Sequence, residues 1–218
     1  MNKKTIKEKY KNCYFIIGNA YAGKSTITKE LAKKYNGILC EENYHDRLES
    51  TLTKDEFPNL CYTRDLVDFH DFIRRTPDEY EKWVKGVSHE CEILELRILD
   101  ELVKSERLVF VDTNISINTL KEISDNDHVL VMLTDPNISV TMFFEREDRE
   151  KQYLYRLILD EVDPNKALDN FRECLKRINN EETYNEFFNS GFNVLIKDDN
   201  RSIEDTLEIV SKLFKLDH

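Results

Sequence analysis

The stretch that most limits what this chain can become is "GNAYAGKST", Gly18 to Thr26. It follows a short apolar run, "CYFII", and precedes a segment with Ile27, Leu31 and Tyr35 on one helical face. Read as strand, turn and helix, it puts two glycines, a lysine and a hydroxyl into one tight loop and the first turn after it. Glycine lacks a Cβ, so the backbone can bend around a ligand and present its N–H groups to it. The start of the following helix adds unpaired N–H donors and the positive end of the helix dipole. A loop written G-x-x-x-x-G-K-[ST] in this context is predicted to cradle phosphates. On that reading Gly18, Asn19, Ala20, Tyr21, Ala22, Gly23, Lys24, Ser25 and Thr26 surround the phosphate chain. Lys24 reaches the β and γ oxygens, and the Ser25 hydroxyl ligates Mg²⁺. The whole chain has only five glycines, so two of them in one loop carry weight.

Four further runs read as buried strands beside "CYFII" (13–17): "GILC" (37–40), "RLVFVD" (107–112), "HVLVML" (128–133) and "FNVLI" (192–196). They are nearly continuous apolar segments without polar alternation, the pattern of strands covered on both faces. Helical patterns alternate with them, at 24–35 and at 203–214, where Ile203, Leu207, Val210 and Phe214 share a face. Alternating strands and helices predict an α/β fold with a mainly parallel sheet between helical layers. Two charged, helix-patterned stretches interrupt the rhythm: residues 43–106 and 136–190. In the first, "TPDEYEKW" offers Thr76 as N-cap and Pro77 at the first helical turn, with Trp83, Val87, Cys91, Leu94, Ile98 and Leu102 following at helical spacing. Both leave the sheet at strand ends, where ligands bind in such folds.

Composition narrows the function. With 218 residues, 40% of them hydrophobic, the chain can bury a substantial core. A net charge of -11 argues against a general nucleic-acid surface, so an anionic ligand needs a locally positive pocket. Five widely spaced cysteines, with no C-x-x-C pair, read as reduced thiols rather than a disulfide or zinc framework. The opening "MNKKTIKEKYKN" leads to too few apolar residues for a signal-peptide core, and no run approaches membrane-spanning length. A cytoplasmic protein acting on a small molecule, with no membrane or nucleic-acid partner, is expected; its oligomeric state is not legible.

The base-reading N-K-x-D of G proteins and the L-S-G-G-Q of transporter ATPases are absent. The complete loop, the helical stretch after the second strand, the charged stretch after the fourth and the closing "FNVLIKDDNRSIEDTLEIVSKLF" together resemble the small P-loop kinases, the group of nucleoside and nucleotide kinases and shikimate kinase. The resemblance covers nearly the whole chain. It implies a three-layer P-loop NTPase fold with a five-stranded, mainly parallel sheet, a helical substrate-binding insertion at about 43–106 and a helical lid at about 136–190. It further implies ATP and Mg²⁺ as cofactors and transfer of the γ-phosphoryl group to a small metabolite, nucleosides and nucleotides among the candidates. The alternative is a P-loop nucleotide-binding switch that acts on a partner instead of a metabolite.

Site residues follow from that likeness. In "FFEREDREKQYLYR", Arg146 and Arg149 lie three apart where a lid begins, with Arg156 two turns on, and such arginines neutralise the transferring phosphoryl. The strand "LVFVD" ends in Asp112, placed like the acid that holds a Mg²⁺ water; a helix-capping role in "DTNIS" is its rival. Glu41, Glu42 and Asp46, in "CEENYHD", are candidates to orient the acceptor, Glu41 and Glu42 before Asp46. His45, alone among them, is assigned no role. Arg64, Arg74 and Arg75 alternate with aromatic residues in "YTRDLVDFHDFIRRTPDEY" and are candidates to bind substrate.

Overall fold

The computed structural model describes residues 3–145 and 149–217. In chain order the elements are α1 (Lys3–Lys9), β1 (Cys13–Gly18), α2 (Lys24–Lys34), β2 (Ile38–Cys40), α3 (Pro58–Arg64), α4 (His70–Ile73), α5 (Pro77–Leu102), β3 (Val109–Asp112) and α6 (Ile117–Ile123). There follow β4 (Val129–Leu133), α7 (Pro136–Thr141), α8 (Arg149–Leu159), α9 (Pro164–Ile178), α10 (Glu181–Phe188), β5 (Asn193–Ile196) and α11 (Ile203–Leu213), with short 3₁₀ turns between several of them. The fold is α/β. The chain divides into two compact units, one of residues 1–49, 91–134 and 184–218, the other of 50–90 and 135–183.

The first unit is built on a five-stranded sheet of order β2-β3-β1-β4-β5 in which every pairing is parallel. Because successive strand residues point to opposite faces, Cys13, Phe15 and Ile17 of β1 enter one core with Leu99 of α5 and Leu120 of α6. Tyr14 and Ile16 enter the other, with Leu31 of α2 and Val210 and Phe214 at α11. Both faces of the sheet are thus covered by helices, which is why its strands read as unbroken apolar runs. From β1 the chain crosses by α2 to β2, and from β3 it crosses by α6 to β4. These two connections leave neighbouring strands toward opposite faces and open a crevice at the tips of β1 and β3, the usual ligand position of an open parallel sheet.

The second unit has its own core, in which Phe72, Ile73, Tyr80, Ile158, Phe171 and Leu175 are buried together. The first fourteen residues of α5 belong to it. Thr76 closes their start with a reciprocal capping box: Glu79 accepts from the Thr76 N–H and hydroxyl, and the Thr76 Oγ1 accepts from the Glu79 N–H. Further along, the Glu90 carboxylate accepts from the backbone N–H groups of Asn59 and Leu60 and from the Asn59 amide, satisfying the first turn of α3. Gly86 lies inside α5 because a Cβ there would come within 2.6 Å of the Asn59 amide. All five cysteines are buried and none is in a disulfide. Among the described residues no helix is long and apolar enough to cross a membrane.

Candidate functional site

The loop after β1 is shaped by its glycines. Gly18 has φ +132, and a Cβ on it would lie 1.9 Å from the Met132 carbonyl oxygen of the neighbouring strand, so only glycine fits. Tyr21 and Gly23 also take positive φ, 67 and 91, which folds the loop back into the start of α2. Gly23 caps α2 without a side-chain acceptor, and no acidic residue occupies the first turn. The first N–H groups of the helix, with its positive dipole end, are therefore left for something outside the helix. Asn19 ties the loop down: its amide donates to the Thr134 carbonyl at 2.7 Å, and its side-chain oxygen accepts from the Thr134 N–H at 2.9 Å. That pairing fixes the loop to the tip of β4. Lys24 folds its amine onto the Asn19 carbonyl at 3.2 Å.

At the tip of β3, level with Ile16 in the sheet, stands Asp112, 1% exposed. The Ser25 hydroxyl donates to its Oδ2 at 2.6 Å. Burial pushes the Asp112 carboxyl above its ordinary range; the Lys24 charge and the Ser25 hydroxyl oppose this, and the charges of Glu42 and Glu95 add to it. A hydroxyl and a carboxylate side by side are hard oxygen donors of the kind that hold Mg²⁺, which fills its remaining positions with water and phosphate oxygens. No group of three His, Cys, Asp or Glu among the described residues could hold a metal alone, so a cation here would need ligand oxygens from elsewhere. The helix expected to open in "DTNIS" does start there: α6 is capped by Ser116, which accepts from the Thr119 N–H, and Asp112 itself is not its cap.

Behind Asp112 lies an array that the sequence did not disclose. Glu95 of α5 is fully buried, and its carboxylate accepts from the Thr113 hydroxyl at 2.5 Å, the Asn114 N–H at 3.1 Å and the Asn114 amide at 2.9 Å. The Nδ1 of buried His45 lies 3.3 Å from the same carboxylate, and its Nε2 lies 3.2 Å from the Cys91 sulfur and 3.5 Å from the Asp46 carboxylate. One side chain on α5 thereby pins both the segment after β2 and the residues that follow Asp112. A buried carboxylate needs such donors to remain in place. His45 was legible only as a lone loop residue, since its partners Glu95 and Cys91 are about fifty positions away in the chain.

Glu41 and Glu42 are exposed in the turn after β2 and, with Tyr44 and Arg47, line an open recess of about 390 Å³. Of the two, Glu42 is the one whose charge acts on Asp112. On the other side of the loop, Tyr21, Gly23 and Ile27 face Leu195 and the turn at Lys197 and Arg201 across a recess of about 280 Å³.

The remaining candidates belong to the second unit. Arg64 forks onto the neighbouring Asp65 carboxylate and donates to the Leu52 carbonyl. Arg74 pairs with Glu161 at 2.9 Å, a carboxylate it shares with His70. Arg75 instead lies against the rings of Tyr62, Trp83 and Phe72 and lines a cavity of about 460 Å³. Arg149 opens α8 on the surface, while Arg156 turns its Nε to the Gln152 carbonyl. Arg146 lies outside the described residues.

Replacing Asp112 by asparagine is expected to stabilise the ligand-free protein at neutral pH. With its pKa raised by folding, Asp112 contributes stability at acid pH that is lost as pH rises through that raised value. At neutral pH the buried charge is a cost, and the side-chain carbonyl of an asparagine at this position would still accept from Ser25. Asp112→Asn should therefore raise the melting temperature of the ligand-free protein, by about 2–4 °C for each kcal/mol gained. It should also abolish any Mg²⁺ dependence of nucleotide binding. Differential scanning calorimetry at several pH values, with and without Mg²⁺, checks both effects.

No protein-family model, no curated protein and no solved structure matches this chain.

Proposed function

We propose that this protein is an ATP-dependent phosphotransferase that moves the γ-phosphoryl group to a small metabolite with the help of Mg²⁺. The observation that carries the reading is the Ser25–Asp112 hydrogen bond beside a glycine loop and a lysine at the start of α2. A phosphate chain takes the open N–H groups of that helix start and the Lys24 amine, which exchanges the Asn19 carbonyl for phosphate oxygens. Ser25 and Asp112 would hold Mg²⁺, which would supply charge neutralisation to the phosphate oxygens. The recess lined by Gly23, Ile27 and Leu195 has the size and apolar floor to receive the base.

In the transfer the bond from the γ-phosphorus to the bridging oxygen breaks and one to the acceptor oxygen forms. ADP leaves, and a hydroxyl acceptor gives its proton to a carboxylate. Glu41 and Glu42, exposed together in the recess after β2, are the candidates for that role. The array of Glu95 and His45 holds the segment that carries Glu42. The cations of the transferring phosphoryl are assigned by the family resemblance to Arg146 and Arg149.

Two measurements test the proposal. The first is thermal shift with ATP, in the presence of Mg²⁺ and of a chelator. The second is ADP release screened over nucleosides, nucleotides, shikimate-like acids and sugars. Stabilisation by Mg²⁺·ATP together with acceptor-dependent ADP release is expected. Tight nucleotide binding with only slow hydrolysis across the whole screen would replace the kinase by a nucleotide-controlled switch. Absence of nucleotide binding would end both readings.

A further inference from the structure

Tyr21 is a bulky residue at a position whose backbone favours glycine. Its φ of 67 lies in the left-handed region, which brings the Cβ of an L residue too close to the following carbonyl oxygen. At Gly18 and Gly23, the other positive-φ positions of the loop, the chain does carry glycine. Among the other described residues the same conformation falls on Asn36 and Asn43, the residue type that tolerates it best, and on Glu106 and Lys215, which stand exposed just after helical turns. Tyr21 alone of these five non-glycine residues is aromatic, and it is half-buried. Backbone strain of this kind gathers where a segment is in use.

The side chain has a place to act. Tyr21 lines the recess of about 280 Å³ beside the loop, together with Ile27 of α2, Leu195 of β5 and Ile203 of α11. Ile203 is 50% exposed, so the recess presents apolar surface to water. The charges at its rim are matched to one another: Lys197 pairs with Asp199 at 3.2 Å, and Arg201 with Asp198 at 3.9 Å. With cations and carboxylates balanced there, the recess suits a neutral apolar group better than a further anion. Gly23, which caps α2 at its open N–H groups, lines the same recess, so the phosphate donors lie immediately alongside.

We infer that Tyr21 is a nucleoside-binding residue whose ring packs against the base of the nucleotide held by the glycine loop, across the recess from Leu195 and Ile203. The inference rests on the nucleotide reading of that loop and adds a division of roles within it. The loop N–H groups and Lys24 address the phosphates, which every nucleotide shares. The Tyr21 ring addresses the flat π face that only the base supplies. A glycine at this position would shape the loop as well, but it would leave the base without an aromatic wall.

Tyr21→Asn tests this, because asparagine accepts the left-handed backbone and removes the ring. Isothermal titration of the full chain with the Mg²⁺ complexes of ATP, ribose 5-triphosphate and tripolyphosphate separates base, sugar and phosphate. Wild type should bind ATP more tightly than either of the others. Tyr21→Asn should weaken ATP binding by about five- to a hundredfold, the range of an aromatic–base stack, and leave the other two ligands nearly unchanged. Tyr21→Phe keeps the ring and should bind ATP like wild type.

The inference is overturned if wild type binds ribose 5-triphosphate as tightly as ATP, or if Tyr21→Asn keeps wild-type affinity for ATP. Loss of tripolyphosphate binding to the same degree as ATP would make Tyr21 a shaper of the loop, and equal losses for ATP and ribose 5-triphosphate would move the contact to the sugar; either result overturns the assignment to the base. A Tyr21→Phe protein as weak as Tyr21→Asn would give the role to the hydroxyl and overturn it too. Should Tyr21→Asn lose its near-ultraviolet circular dichroism, Tyr21→Gly, which takes the same φ without strain, carries the test. If neither ATP nor tripolyphosphate binds wild type, the nucleotide reading fails and this inference falls with it. If both bind and the Tyr21 variants keep the preference for ATP, this inference alone falls.

Discussion

Lys24→Ala should abolish the stabilisation of this protein by Mg²⁺·ATP while leaving the free protein's melting temperature within about 2 °C of wild type. The lysine is half-exposed and makes one hydrogen bond, to the Asn19 carbonyl, so its loss opens no cavity in either core of the sheet. Its effect on ligand is double. The phosphates lose a charge-assisted donor, worth about 1.5–3 kcal/mol. Asp112 also loses the cation that most opposes its burial, and its carboxyl moves further toward the protonated form that cannot hold a metal. Wild type at a nucleotide concentration of about a hundred times Kd gains about 2.7 kcal/mol, which appears as a rise of about 5–10 °C. A Lys24→Ala protein that shows the same rise would refute the assignment of the glycine loop to phosphate.

Arg149→Ala should lower kcat by about 10³–10⁵ with little change in ATP affinity, the effect of removing an arginine that acts on the transferring phosphoryl. The same substitution should leave stability nearly unchanged, because Arg149 is exposed. Arg146→Ala belongs in the same experiment, because either arginine can carry the role. Steady-state kinetics with ATP as the varied substrate, on the acceptor found by the ADP-release screen, gives kcat and KM separately. Near-normal turnover in both single variants would remove the lid assignment from this segment, and Arg156, bonded to the carbonyl of its own helix, would be the next to substitute.

The elements themselves were readable because their causes are local. Each strand of the parallel sheet is buried on both faces, and burial on both faces forces an unbroken apolar run such as "RLVFVD" or "HVLVML". β3 and β4 occupy Val109–Asp112 and Val129–Leu133, within two residues of those runs. The start of α5 was readable for the same reason: Thr76 and Pro77 are adjacent start signals, and the structure adds Glu79 as the partner of Thr76. The sheet is wholly parallel rather than mainly so, a distinction that depends on the direction in which each strand enters the sheet and not on composition.

What the sequence by itself determined is thus the five strands, the alternation that makes an α/β fold, and a glycine loop whose residues are contiguous. Hydrophobic periodicity, caps and glycine conformations act over a few residues, and a chain records them in order. The tertiary structure alone decided what meets across the chain. Asp112 reaches Ser25 over 87 positions, Asn19 reaches Thr134 over 115, and Glu95 gathers His45, Thr113 and Asn114 at one buried carboxylate. It also separated three arginines that the sequence left equal: Arg64 and Arg74 are ion-paired with carboxylates, and Arg75 lies against the rings of Tyr62, Trp83 and Phe72. Desolvation and pairing are properties of a place in three dimensions, and so no spacing along the chain could have told these residues apart.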